Sequence, residues 1–363
     1  MPTKRLSPAE LDALADKFWQ QEFLREKIAE QKRVVLGISG GADSTALLWL
    51  MTWKDRPDWS SEIAVGHVNH ALRGKASDAD QERVRANCRQ LGVTFRSRKL
   101  RAKTIQSAAG GSLEAALREA RYTALTSIMQ KAETQTLILA HHRDDLAETF
   151  LMRLMRGSGL AGLRGILPES QRAGMAILRP LLDWSAAHLR AIAQSCGLQW
   201  ADDESNDDLR FTRNRIRKRI IPYLDRHSDH GAIAGTLART AGRIREEYAA
   251  LESVVDSIYR EHIIVRQNPL RLGMPREALL QFDAALAPHL IRNMFRQLME
   301  DNYPPDQPRI DELAAFIKAG KIRTPFQSAR NVVAYLNKED IFWLWQKPQR
   351  NIPRETIIQT FES

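Results

Sequence analysis

The chain has 363 residues, 43% of them hydrophobic, a formal net charge of +10 and two cysteines. Its length predicts two domains, and its composition is that of an ordinary globular protein. No run approaches the ~20 consecutive apolar residues of a membrane span, and the start lacks the apolar stretch of a secretory signal. Cys88 and Cys196 form no CxxC pair. The expectation is therefore a cytoplasmic protein with no membrane partner, no disulfide framework, no Cys-rich zinc site and no iron–sulfur cluster.

Ser7, Pro8 and Glu10 read as an N-cap, a first-turn proline and a capping-box acid, opening a lead-in helix with Leu11, Leu14 and Phe18 on one side. Residues 34–38 form an apolar run that ends in a glycine turn, and a helical stretch follows at 45–50. The alternation repeats, with strands at 63–68, 93–95 and 136–140 and helices at 77–91 and 112–131; the strand at 136–140 closes the series. Cys88 shares a helical stripe with Val84 and Leu91, which suits a core thiol.

Strands alternating with helices at this spacing predict an α/β fold, an open, doubly wound parallel sheet built from right-handed crossovers. Such sheets bind ligands at the carboxyl ends of their strands. Beyond Pro222 the pattern changes to helical stretches over about 229–300, a break at Tyr303, Pro304 and Pro305, and alternating segments at 332–345. Residues 1–222 are thus expected to form a catalytic domain, and residues 223–363 a mainly helical C-terminal domain with a few strands.

The hexad Ser39, Gly40, Gly41, Ala42, Asp43 and Ser44 follows the first buried strand and opens a helix. Adjacent glycines let backbone N–H groups approach an anion, serine hydroxyls add donors, and the helix N-terminus adds partial positive charge, which together make a phosphate or pyrophosphate cradle. No lysine follows the glycines as in GxxxxGK[ST]. Asp43 stands there instead, and a carboxylate among phosphates points to Mg²⁺.

SGGxDS in this position resembles the signature of the PP-loop ATP pyrophosphatases, which transfer AMP to an oxygen and release pyrophosphate. Three later segments resemble the tRNA(Ile)-lysidine synthetase family within that superfamily. One runs from His67 through Asn69 to Arg73 at the end of the second strand, where His67 and Asn69 are expected to contact ATP or the reacting base. The next runs from His141 to Thr149. If a helix starts near Asp144, then Asp144 and Glu148 lie one turn apart with Asp145 alongside, a face suited to a cation, a lysine ammonium or its proton. Leu146 stands where the family usually has glutamine. On the helix between them, Arg118 or Arg121 is expected to stabilise phosphate charge.

The last segment, residues 203–217, is close to the family's SNxDxxFxRNRIR pattern. Arg210, Arg213, Arg215 and Arg217 there, with Asn214 and Phe211 interleaved, have the mixture of cations and planar groups that RNA binding requires. The resemblance is specific over about 34–222. It implies ATP and Mg²⁺ as cofactors, Asp43 and Asp144 as metal ligands, and Arg73 with the basic segment as RNA contacts. The implied substrates are L-lysine and an isoleucine tRNA with a CAU anticodon, whose wobble cytidine becomes lysidine through an adenylated intermediate. A homodimer is compatible with this reading. A tRNA thiolase would want a reactive cysteine pair, NAD synthetase would leave the basic segment unexplained, and an idle RNA-binding protein would not need Asp43.

Overall fold

The computed structural model describes residues 5–71, 74–100, 113–172, 174–201, 209, 211–229, 232–281, 285–299, 307–328, 331–347 and 352–362. Arg73, Arg210 and the stretch 202–208 lie outside the described residues. The chain divides into two compact units, Met1–Gly157 with Gly162–Gly242, and Ser158–Ala161 with Arg243–Ser363.

The first unit opens with α1 (Pro8–Trp19) and α2 (Glu22–Ile28). The expected capping box is present: the Glu10 N–H donates to Ser7 Oγ at 3.3 Å, and the Ser7 N–H donates to the Glu10 carboxylate at 2.8 Å. Then come β1 (Arg33–Gly37), α3 (Ala42–Met51), β2 (Glu62–Asn69), α4 (Lys75–Gln90), β3 (Thr94–Lys99), α5 (Leu113–Lys131), β4 (Thr136–Leu139) and α6 (Arg143–Met155). The short helix α7 (Leu160–Leu163) precedes β5 (Glu169–Arg172), β6 (Met175–Leu178) and α8 (Ala186–Ser195). A continuous helical segment follows: α9 (Thr212–Arg215), a π-helical turn (Ile216–Ile220) and α10 (Ile221–Arg226).

The sheet order is β3-β2-β1-β4-β6-β5. Pairing is parallel from β3 to β6, and β5 joins antiparallel at the edge. Side chains alternate across β1, so Val34 and Leu36 pack with α1, α3, α4 and α8, while Val35 packs on the other face against Leu125, Ile128 and Met129 of α5. Both faces are covered, which makes the sheet doubly wound as expected. Each fully buried leucine, such as Leu36, Leu47 or Leu48, contributes about 1.5–3 kcal/mol of transfer free energy. Cys88 lies in this core beside Val84.

The series does not close at β4. β6 extends the parallel sheet and β5 turns back on it, four-residue strands too short for an alternating pattern to stand out.

The second unit takes most of α11 (Ile233–His262), then β7 (Ile264–Arg266), β8 (Arg271–Pro275), α12 (Arg276–Leu280), α13 (Ala287–Leu298), α14 (Gln307–Ala319), β9 (Phe326–Gln327), β10 (Val332–Leu336), β11 (Ile341–Gln346) and α15 (Arg354–Glu362). The helical stretch expected over 229–300 is thus interrupted by β7 and β8, which complete an antiparallel sheet of order β7-β8-β11-β10-β9. One face, with Leu272, Met274, Phe342 and Leu344, packs against α13 and α14. On the other, Tyr335 stacks on Phe361 of α15 with centroids 4.8 Å apart, and Trp343 and Trp345 are buried core residues.

Gly165 has φ +67°, and a Cβ there would lie 2.3 Å from Cδ1 of buried Leu146. The leucine that replaces the family's glutamine fills this space. Gly165→Ala combines left-handed strain with overpacking and is expected to cost about 1–3 kcal/mol in urea denaturation; an unchanged midpoint would refute the account.

Candidate functional site

Chain crossovers leave β1 in opposite directions: β2 and β3 build one side of the sheet, β4 and β6 the other. That reversal opens a crevice at the carboxyl ends of β1 and β4. The loop after β1 carries Gly40 at φ +97°, a conformation that glycine adopts without strain. Ser44 Oγ accepts the Gly40 N–H at 3.2 Å and donates to the Gly41 carbonyl at 3.0 Å, so this buried hydroxyl holds the turn closed. Exposed Ser39 lies 3.1 Å from it. Gly41 is the N-cap of α3 and makes no side-chain cap, leaving the first turn without the hydroxyl or carboxylate that usually satisfies its N–H groups.

Beside the loop is a cavity of about 330 Å³ lined by Ile38, Ser39, His67, Asn69 and Arg121 among others. The His67 Nδ1–H donates to the Ile38 carbonyl at 2.9 Å, leaving Nε2 as an acceptor. Burial lowers the pKa of His67, against the pull of that carbonyl and of Asp80, and favours the neutral ring. Arg118 is exposed with its guanidinium 5.7 Å from the Tyr122 ring centre, whereas Arg121 lines the cavity. Burial is the main cause lowering the pKa of Arg121.

The strand β4 delivers His141 and His142. Buried His142 is the N-cap of α6: its Nδ1 accepts the Asp144 N–H at 3.2 Å, and Asp145 accepts the His142 N–H at 3.1 Å. With Nδ1 accepting, the ring proton sits on Nε2, which lies 3.5 Å from Asp43 and 3.4 Å from Asp145. Burial opposes charge on His142, but the hydrogen bond to Asp43 and the fields of Asp145, Asp43 and Asp144 outweigh it and raise its pKa.

One helical turn deeper, Glu148 is fully buried and accepts from Arg213 Nε at 2.7 Å and Arg217 Nε at 2.5 Å. Asp145 accepts from Arg213 Nη2 at 2.8 Å and Arg217 Nη2 at 3.4 Å. Burial pushes the pKa of Asp145 up, but His142 and then Arg213 reverse this and hold it below the ordinary carboxylate value.

A family model for the PP-loop domain matches residues 13–224. The tRNA(Ile)-lysidine synthase of Rhodopseudomonas palustris is 34% identical over 300 residues, which is 82% of this chain and 83% of the relative. The chain belongs to the tRNA(Ile)-lysidine synthase family. The Geobacter sulfurreducens member is 39% identical over 236 residues, 65% of this chain and 49% of its own length. The chain thus spans about half the length of that curated relative, and 58% of the Pseudomonas aeruginosa one. A U34-tRNA thiolase structure from Methanococcus maripaludis shares the fold at TM-score 0.53 and 16% identity, covering 66% of this chain and 81% of that one.

Several residues expected at the lysidine synthase site have other partners. Asn69 borders the cavity, but its amide donates to Asp78 at 2.8 Å and its carbonyl accepts the Ala71 N–H at 2.9 Å, so it braces the β2–α4 turn. Asp144, expected to pair with Glu148 and to bind metal, gives one oxygen to the Ala186 N–H at 2.8 Å; the acids that act together are Asp145 and Glu148. Arg213 and Arg217, expected as RNA contacts, are committed to those acids. Asn214 is buried, while Arg215 is exposed and donates to the Leu209 carbonyl at 3.1 Å and Thr212 Oγ1 at 2.9 Å. The sequence signal for the tetrad was available: acids three apart on one helix and arginines four apart on another, each pair presenting one face.

His141 Nδ1 is shielded and without a hydrogen-bond partner among the described residues, and burial pushes the pKa of His141 down to about 3. Between pH about 6.5, the ordinary histidine value, and about 3, the unfolded chain binds a proton that the folded chain does not. This histidine therefore removes stability as pH falls through that window, by up to about 1.4 kcal/mol per pH unit, and has no such effect above it. Urea denaturation at stepped pH should show His141→Gln losing stability less steeply than wild type below 6.5; parallel curves would contradict this.

Proposed function

We propose that the chain is an ATP-dependent ligase that joins L-lysine to the wobble cytidine in the CAU anticodon of an isoleucine tRNA. The observation that carries this reading is the placement of a phosphate-cradling loop and an acid-bearing helix start on adjacent parallel strands, linked by His142 between Asp43 and Asp145. Membership of a family whose relatives are named tRNA(Ile)-lysidine synthase supports the substrate class. In this reading residues 1–222 carry catalysis and residues 223–363 dock the tRNA, in the cytoplasm.

The cytosine carbonyl oxygen attacks the α-phosphorus of ATP, a new O–P bond forms, and the bond to the bridging oxygen breaks to release pyrophosphate. The ε-amine of lysine, as free base, then attacks the ring carbon that carries the adenylate. AMP leaves with the C–O electron pair, and the nitrogen loses a proton. The loop from Ser39 to Ser44 holds the diphosphate through its N–H groups, and Arg121 offsets charge on the phosphates from the cavity wall.

Asp145, held below its ordinary pKa by His142 and Arg213, is a weak base, and Glu148 is paired to two guanidiniums. Their part is to hold Arg213 and Arg217 beside the crevice rather than to take the amine's proton, which passes to water. Mg²⁺ fits the donor present: Asp43 offers a carboxylate that is 43% exposed beside the loop. Held there by Asp43, the ion would supply charge neutralisation for the departing pyrophosphate. Burial raises both thiols, Cys88 to about 12, so neither offers a thiolate for sulfur transfer; this favours an amine as the group delivered.

The test incubates purified chain, ATP and labelled lysine with individual tRNA transcripts. Lysine retained on the isoleucine transcript alone, with RNA-dependent pyrophosphate release, is the expected result; its absence refutes the reading. Asp43→Ala should abolish both signals while leaving the fold intact. Arg121→Ala should lower kcat by about 10²–10³-fold, the cost of losing one stabilising donor. Arg118→Ala should stay within a few-fold of wild type, and the reverse ranking would overturn the assignment to Arg121.

A further inference from the structure

The segment from Phe211 to Asp229 contains six arginines and lysines against two aspartates. Two of the cations, Arg213 and Arg217, are turned inward onto Asp145 and Glu148. The next residues do the opposite. Pro222 has no N–H to close an α-helical bond to Lys218, and the turn before it is π-helical, with the Ile221 N–H reaching the Ile216 carbonyl. From Arg219 within this turn onward, Arg219, Tyr223, Arg226 and His227 are all exposed, at spacings of four, seven and eight residues that place them along one side of the segment.

Tyr223 is 56% exposed, an unusual state for a large aromatic ring. His227 stacks on it at 4.4 Å between centroids and 30° between planes, and the His227 Nδ1–H donates to the Tyr223 carbonyl at 2.9 Å, which fixes the imidazole beneath the phenol. Among the described residues Arg219 and Arg226 make no ion pair or hydrogen bond. Asp225, the acid between them in sequence, accepts the Ile233 N–H at 2.6 Å.

We infer that Arg219, Tyr223, Arg226 and His227 form a stacking platform for an unpaired nucleotide of the RNA substrate. The base lies against the Tyr223 ring, and the flanking phosphates meet the two arginines. An aromatic face flanked by guanidiniums that have no partner among the described residues is the combination that single-stranded RNA uses, and the excess of cations complements its backbone. The platform is also indexed to the reaction site. Arg217 is held on Glu148, and one unbroken helical segment joins it to Tyr223 six residues further on. A nucleotide stacked there is therefore placed at a set distance from the acid helix. The inference rests on the tRNA reading above and moves RNA contact from Arg213 and Arg217 to the turns that follow them.

The test measures dissociation constants of the intact chain for the isoleucine tRNA transcript, and for a short single-stranded RNA with 2-aminopurine, whose fluorescence is quenched on stacking. Tyr223→Ala should weaken both by about 5- to 150-fold and raise KM for tRNA with little change in kcat, while Tyr223→Phe stays near wild type. Arg219→Gln and Arg226→Gln should each lower the slope of log affinity against log salt by about one. Urea midpoints matching wild type are expected, since the side chains are exposed. Wild type that ligates lysine while Tyr223→Ala keeps the same KM for tRNA and the same quenching overturns the platform alone. Wild type that binds no tRNA sinks the ligase reading, and the platform with it.

Discussion

The parallel pairing of β1 with β4 sets Leu36 opposite Ile138 and Gly37 opposite Leu139. Because both ladders stop at the same level, the two following loops emerge side by side, and no longer-range device is needed to bring the phosphate loop to the acids. His142 then carries the junction. Its Nε2 lies within 3.5 Å of Asp43 and 3.4 Å of Asp145, so a single proton stands between two carboxylates that would otherwise repel. Burial of the ring makes its neutral form cheaper and the carboxylates make its charged form cheaper; the second effect prevails.

Glu148 imposes the second constraint. A fully buried carboxylate is tolerable only with compensating donors, and here it has two guanidiniums. Since those guanidiniums belong to α9 and the π-helical turn, the pairing fastens a basic segment to α6. Electrostatics inside the first unit thus decide which cations are spent on structure and which face solvent. The same logic applies to Asn69 and Ser44, whose polar groups border the crevice but serve to hold turns in shape.

Much of this was legible in the chain itself. The capping box at Ser7, the strand before Ser39, the glycine turn and the alternation of strands with helices are short-range patterns, set by backbone hydrogen bonding and side-chain period over a few residues. The four-residue strands β5 and β6 carried too little pattern to register, and β7 and β8 were hidden in a stretch that reads as helical.

Sequence determined the fold class, the phosphate loop and the set of charged residues near it, because each is written in adjacent letters. Tertiary structure alone decided their partners: that Arg121 and not Arg118 faces the cavity, that Asp145 and not Asp144 joins Glu148, and that Arg213 and Arg217 turn inward. The physical reason is distance along the chain. Arg213 reaches Glu148 across 65 residues and Arg217 reaches Asp145 across 72, and charge pairing at such separations depends on where the sheet places each helix, which no local periodicity encodes.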